Sequence, residues 1–301
     1  MTGVASAATR GSRVDLTGRA LSVRRRVVNR LATVAITLTL LIAVVPLGLV
    51  TYTVISKGAG ILSWEFLSSD ILPSPRRFGG GIWPAILGTI LVTGLAALLA
   101  IPLGVLGAIY LNEYGKGNRL ARTIRTMADV MTGVPSIVMG LFIYVAWVLL
   151  VDAQSGLAGA LALACLMLPV VIRSTEEMLR LVPDELRQAS LALGARKWRT
   201  TVTVVIPAAI SGITSGALLA IARAAGETAP IVLVMGIAYS PVWDYTQPNV
   251  ALPQLIYSNA GQPFEAAQQK AWGAALTLIA LVLIATLVAR FVANRYAIKE
   301  R

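Results

Sequence analysis

Two ionisable residues, Arg223 and Glu227, sit in the segment Ala222-Arg223-Ala224-Ala225-Gly226-Glu227-Thr228-Ala229-Pro230, inside a long apolar stretch. Four residues apart, they share one face of a helix. A charge at membrane depth costs at least about 2.5 kcal/mol on insertion scales, so such residues are read first as functional. The guanidinium fork of Arg223 suits an oxyanion, because it makes paired, charge-assisted hydrogen bonds. Glu227 would repel an anion, so its natural tasks are to position Arg223 or to pair with a neighbouring subunit. Gly226 and Pro230 allow local unwinding, which can expose backbone donors to a pathway. A structural ion pair locking two helices would use the same two residues without any transport role.

The second informative segment runs from Leu181 to Trp198. Pro183 suits a first helical turn, Asp184 and Glu185 favour the positive end of the helix dipole, and Gly194 suits the position just past a helix end. About ten residues give roughly 15 Å of helix. Ala189, Ser190, Ala192 and Ala195 leave little side-chain bulk, so another surface can approach closely. A basic stretch then leads to Pro207, at the mouth of the next apolar run. A short helix held between two spans can be gripped by a partner and can pass a push to both. The plainer alternative is a connecting loop packed on its own protein.

The elements that must carry these residues are membrane helices. Hydrophobic residues make up 56% of the chain and charged residues 13%, against about 25% charged in soluble domains. Apolar runs near the roughly 20-residue length of a bilayer crossing predict six spans: Leu31–Ser56, Trp83–Tyr110, Val130–Val151, Gly156–Ile172, Ala208–Met235 and Ala271–Val292. Lys and Arg concentrate in the N-terminal tail, around Lys116–Arg125, around Arg173–Arg199 and in the C-terminal tail. The opposite side holds only Lys57, Arg76, Arg77 and Lys270. The positive-inside rule then places both termini in the cytoplasm. The same rule decides the stretch Val202–Ala238, which is long enough for two short crossings. A single crossing keeps the charge asymmetry and puts Arg223 and Glu227 within the membrane.

Basic residues spread between apolar runs exclude nucleic acid as the reason for the net charge of +12. There is no histidine, and the single cysteine, Cys165, lies in an apolar run as a packing residue. No metal site is expected. Leu31–Ser56 is too long for a signal-peptide core, and Ser22-Val23-Arg24-Arg25-Arg26 reads as a cytoplasmic anchor for the first helix. The outer segments, Lys57–Ile82 and Tyr239–Lys270, are rich in turn formers and aromatics. They read either as a docking surface for an external protein or as an interfacial aromatic belt.

Gln188-Ala189-Ser190-Leu191-Ala192-Leu193-Gly194, a nine-residue gap and then Val204-Val205-Ile206-Pro207 resemble the EAA loop of ABC importer permeases. Gln188 and Ser190 depart from that pattern, which has Glu and Ala there. The resemblance implies that Asp184, Glu185, Arg187, Gln188, Ala189, Ser190, Leu193, Gly194, Ala195 and Pro207 couple the chain to a dimeric ATPase. The chain has no phosphate-cradling Gly-rich loop ending in Gly-Lys-Ser/Thr, since Gly115-Lys116 is followed by Gly117. It is therefore expected to bind no cofactor, with ATP and Mg held by the partner ATPase.

Three segments are similar to PstA-type phosphate permeases: Ile221–Pro230, Thr132–Leu141 and Arg173–Leu179. The resemblance implies that Arg223, Glu227 and Arg173 are functional charges and that Gly133, Pro135 and Ser136 line or kink the path. On local grounds alone, Pro135 is a simple kink and Arg173 an anchoring arginine at a helix end. The implied fold is all-α, a six-helix membrane bundle of the type I ABC importer permease kind. Its parts would be an N-terminal tail (1–30), a first helix (31–56), an external segment (57–82), an importer core (83–292, with the coupling segment about 176–207) and a C-terminal tail (293–301). The implied partners are a PstC-type second permease, a PstB-type ATPase pair, a PstS-type external phosphate-binding protein and the lipid of a bacterial inner membrane. Import of sulfate or molybdate is the nearest alternative. A secondary transporter, a channel or a membrane enzyme would need features that are not seen here.

Overall fold

The computed structural model describes residues 23–296, with side chains to 291. Most of the expected N-terminal tail and the last residues of the C-terminal tail lie outside the described residues. Among the described residues, five helices are long and apolar enough to cross a membrane, and a bent pair raises the number to six. The chain divides into residues 1–53 and a compact unit, residues 54–301.

The first helix, α1 (Val23–Gly58), is 36 residues long, and its apolar side chains between Val23 and Tyr52 are exposed. Apart from Pro46, which has no N–H to give, the backbone groups in the interior of such a helix are satisfied internally, so lipid is an adequate solvent for it. In the compact unit, α2 (Trp64–Ser68) is capped by the Ser63 hydroxyl, which accepts from the Phe66 N–H at 3.1 Å. Next come α3 (Trp83–Ile109), prolonged by a π turn over Tyr110–Tyr114, α4 (Arg119–Gly133) and α5 (Ser136–Ile143). A π turn over Tyr144–Val148 joins α5 to α6 (Leu149–Val151). Then follow α7 (Gly156–Arg180), α8 (Asp184–Ala192), α9 (Lys197–Thr200) and α10 (Ile206–Ala225), the last two joined by a π turn over Thr201–Val205. The chain closes with α11 (Ala229–Val234), α12 (Leu252–Ala260) and α13 (Glu265–Tyr296).

Small residues decide how the long helices meet. A Cβ on Gly159 of α7 would lie 3.3 Å from Val92 of α3, and one on Gly104 would lie 2.7 Å from Val171. Both contacts rise together along the chain, so α3 and α7 run parallel. Gly212 and Gly216 of α10 meet Met178 and Ser174 of α7 in the opposite order, so α10 is antiparallel. Lipid provides no hydrophobic drive between helices, so close approach at Gly and Ala supplies the packing. The resulting core joins Val92, Ala96 and Ala100 of α3 to Leu163 and Met167 of α7 and Ala220 of α10. Between α11 and α12, the loop returns to α3, where Thr89 Oγ1 accepts from the Leu252 N–H at 2.8 Å.

Two expected spans take a different form. The segment expected to cross as Val130–Val151 is broken between α4 and α5, which diverge by 108°. Pro135 has no N–H to give and disfavours helical geometry at Val134, which is extended (φ −72°, ψ 130°). The break is thus far sharper than a kink. The fifth expected span, Ala208–Met235, is interrupted too. One helix runs unbroken from Lys197 to Ala225, 29 residues or roughly 43 Å. The chain then turns at Gly226–Thr228, and α11 packs separately against α5 and α7. The fourth span is longer than expected, because α7 continues past Ile172 to Arg180.

If the α3–α7 contact sets the packing, Gly104→Leu should destabilise the fold by about 1–3 kcal/mol through overpacking. Gly94→Leu on the same helix should be tolerated, because a Cβ there meets nothing within 4 Å. Thermal unfolding followed by size-exclusion fluorescence measures both. Equal losses would dismiss the contact as the cause.

Candidate translocation and coupling site

The Arg223 motif folds as a helix end, a turn and a new helix start. Arg223 lies in the last turn of α10, Gly226 closes that helix, and Pro230 stands in the first turn of α11. The Gly226 and Glu227 N–H groups donate to the Arg223 and Ala224 carbonyls, each at 3.1 Å. Arg223 Nε is 3.7 Å from Glu227 Oε1, with the arginine side chain 66% exposed and the glutamate 19%. The pair is therefore loose, and most of the guanidinium is open to whatever faces α10. A Cβ on Gly140 of α5 would stand 2.6 Å from Pro230 Cα, so the helix that begins at Ser136 seats directly on this turn. Gly133 ends α4, Pro135 is the residue before α5, and both are exposed, while Ser136 is half-buried. Five of the expected path residues thus belong to two segments that pack together through Gly140 and Pro230.

Arg173 does not join them. Ser174 meets Gly216 on the antiparallel α10, which leaves Arg173 about 10 Å short of the level of Arg223 by helix rise. Its guanidinium forms an ion pair with Asp129 of α4 and stands 3.6 Å from Glu176 Oε2. Glu176, 1% exposed, also takes Arg125 Nε and Arg180 Nη2 on Oε1, each at 2.6 Å. Arg125 continues the link by donating to the Leu111 carbonyl at 2.8 Å. The π turn at the end of α3, α4 and α7 are thereby tied around one buried carboxylate.

A second buried carboxylate, Glu113 in that π turn, holds α8. Arg187 of α8 donates to Glu113 Oε1 from Nη2 at 3.0 Å and from Nε at 3.2 Å. It also donates to the Val182 and Leu179 carbonyls at 2.6 and 2.8 Å, and it pairs with Asp184 at 3.1 Å. With one partner removed, a buried pair of this kind loses about 3–5 kcal/mol, because the remaining charge stays desolvated. The sequence marked Arg187 but not Glu113, Asp129, Arg125, Glu176 or Arg180. The spacing of Glu176 three residues after Arg173 and four before Arg180 was a legible sign of a helical ion cluster.

The outward side of α8 is the opposite in character. Asp184, Glu185, Gln188, Ala189, Leu191 and Leu193 are exposed, Leu193 at 89%. Gly194 follows at φ +83°, a conformation that L side chains rarely adopt, and the Ala195 N–H donates to the Ser190 carbonyl at 3.2 Å. The Ser190 hydroxyl is 2.9 Å from that of Thr200 in α9, so the departure from Ala at this position fastens α8 to α9. Pro207 lies in the first turn of α10, after the π turn that absorbs its missing N–H. Lys197 of α9 stacks over the Tyr114 ring at 5.0 Å. A surface of acidic and amide side chains at its start and of Ala and Leu side chains toward its end is thus offered outward, while the inward side is bolted to α3 and α7. Among the described residues, no group of three or more His, Cys, Asp or Glu stands placed to hold a metal ion.

Residues 100–298 match the family described as binding-protein-dependent transport system inner membrane component. The chain is 46% identical over 286 residues to the phosphate transport system permease protein PstA 1 of Mycobacterium tuberculosis (strain ATCC 25618 / H37Rv), covering 92% of each. It is 40% identical over 270 residues to the phosphate transport system permease protein PstA of Yersinia pestis, covering 89% of this chain and 90% of that one. Among solved structures, a bacterial alginate ABC transporter bound to its pentasaccharide-loaded periplasmic protein matches 91% of this chain and 96% of its own at a TM-score of 0.61, with 15% identity. An inward-facing MetNI methionine ABC transporter matches 72% and 93% at 0.53, with 20% identity. The fold is that of type I ABC importer permeases. The chain belongs to the family of binding-protein-dependent transport system inner membrane components and, within it, to the PstA-type permeases.

Proposed function

We propose that this chain is a permease subunit of an ATP-driven importer of inorganic phosphate. It would form the translocation path with a second permease, receive phosphate from an external binding protein and couple to a cytoplasmic ATPase pair that carries ATP and Mg. The observation that supports this most strongly is the 46% identity, across nearly the full length of both chains, with a phosphate transport system permease.

The geometry supplies a mechanism. The exposed surface of α8 is the lever on which the ATPase acts. Its displacement reaches α3 through Arg187 and Glu113, and α7 through the carbonyl of Leu179. The helix running from α9 to Ala225 carries the same displacement to Arg223. Arg223 lends positive potential to the path while paired only loosely with Glu227, which avoids a site so tight that it traps the anion. On this reading α8 lies on the cytoplasmic side. The directions of α3 and α7 toward α8, and of α10 away from it, agree with both termini facing the cytoplasm.

The reconstituted complex should take up labelled phosphate only with ATP, and excess sulfate should not compete. Uptake driven by an ion gradient without any ATPase would remove this reading. Arg223→Ala should lower uptake at least about tenfold, the loss of one charge-assisted contact, with the subunits still copurifying. Normal uptake in that variant would end the role given to Arg223. Glu113→Gln keeps the side-chain shape but weakens the hold on Arg187. It should leave ATP hydrolysis running while the phosphate transported per ATP falls, and an unchanged ratio would show that the link carries no work.

A further inference from the structure

Between the π turn of α3, α4, α7 and α8 lies a cavity of about 400 Å³, and the coupling role uses only the α8 part of its wall. Four cationic side chains, Lys116, Arg125, Arg180 and Arg187, line it together with a single carboxylate, Asp184. That carboxylate is already engaged by Arg187. The buried Glu176 takes Nε of Arg125 and Nη2 of Arg180 from behind, and Arg125 Nη2 is on the Leu111 carbonyl. Two arginines are thus held by one edge each, with other donors left over. Lys116 is exposed on a turn, and its neighbour Gly117, at φ +80°, adds no side chain to the wall. Among the described residues, no ion pair engages the Lys116 ammonium.

Arginine forks held on one edge beside an exposed ammonium match a ligand that only accepts hydrogen bonds and carries more than one negative charge. A cleft in which cationic side chains outnumber carboxylates focuses its field and concentrates such a ligand. Basic pockets at this level of a membrane protein also take anionic lipid headgroups. We propose that this cavity binds a phosphoryl group, either free inorganic phosphate or the headgroup phosphate of an anionic lipid, through Lys116, Arg125 and Arg180. The site is separate from Arg223, and its wall includes Asp184 and Arg187 of α8. Its occupant therefore sits against the lever and is in place to alter how α8 moves. The inference rests on charge and shape at the α8 end, and it stands whether or not phosphate is the cargo.

The test uses the membrane complex of both permeases with the ATPase pair, free of the external binding protein and without ATP, in nanodiscs. In phosphatidylcholine discs, equilibrium binding of radiolabelled inorganic phosphate is compared between the Arg223→Ala complex and the same complex carrying Lys116→Ala and Arg180→Gln. In discs containing phosphatidylglycerol, native mass spectrometry counts the lipids retained by the same two complexes. A drop in phosphate affinity of about tenfold in the altered complex identifies free phosphate as the occupant. Unchanged phosphate binding with loss of a retained phosphatidylglycerol identifies the headgroup. No difference in either arm overturns the site. Should Arg180→Gln disturb assembly, Lys116→Ala alone removes an exposed side chain and must still reduce one of the two signals.

Discussion

A carboxylate buried among arginines organises the α8 end of this permease. Glu176 is almost wholly removed from solvent, and guanidinium groups from its own helix and from α4 converge on it. Such a cluster persists only while every member is in place, since an unpartnered charge in that environment is strongly unfavourable. Its consequence is rigidity. The end of α3, the middle of α4 and the lower half of α7 cannot move independently without uncovering a charge. Glu113 and Arg187 extend the same constraint to α8, so a force on that short helix is delivered to the bundle rather than dissipated in a loop.

Above this charged end, the bundle is held by shape. Gly104 against Val171, Gly212 against Met178 and Gly216 against Ser174 bring three helices close enough for extensive dispersion contact. Contacts of this kind set the register without any ion pair, so helices can tilt on one another without uncovering a charge. On the proposed role the division suits a transporter: an ionic clamp where force would enter, and a small-residue seam where motion would be allowed.

Arg223 stands apart from both regimes. Where Arg187 satisfies its donors with four partners, Arg223 has a single carboxylate at 3.7 Å and remains largely open. The turn at Gly226 that creates this situation is seated on α5 by Gly140 and Pro230. The broken helix at Pro135 thereby supports the charge while α10 carries it.

The sequence by itself determined the membrane class, the long apolar helices, the short α8 with its Pro183 start and Gly194 end, and the placing of Arg223 and Glu227 four apart in an apolar stretch. These follow from local rules of apolar length, helix capping and the cost of a charge in lipid, and each is written in contiguous residues. The sequence also showed that Pro135 and Gly226 disturb their helices. It did not show that the disturbances are a 108° bend and a separate α11, because the degree of a break depends on what each fragment finds to pack against. The tertiary structure alone brought Arg125 and Asp129 of α4 to the Arg173–Glu176–Arg180 cluster and kept Arg173 away from Arg223, and it alone joined Glu113 to Arg187 across 74 positions of chain. Charges far apart in sequence become partners only when parallel and antiparallel helices set their depth, and that register is fixed by glycine contacts between helices that no single segment encodes.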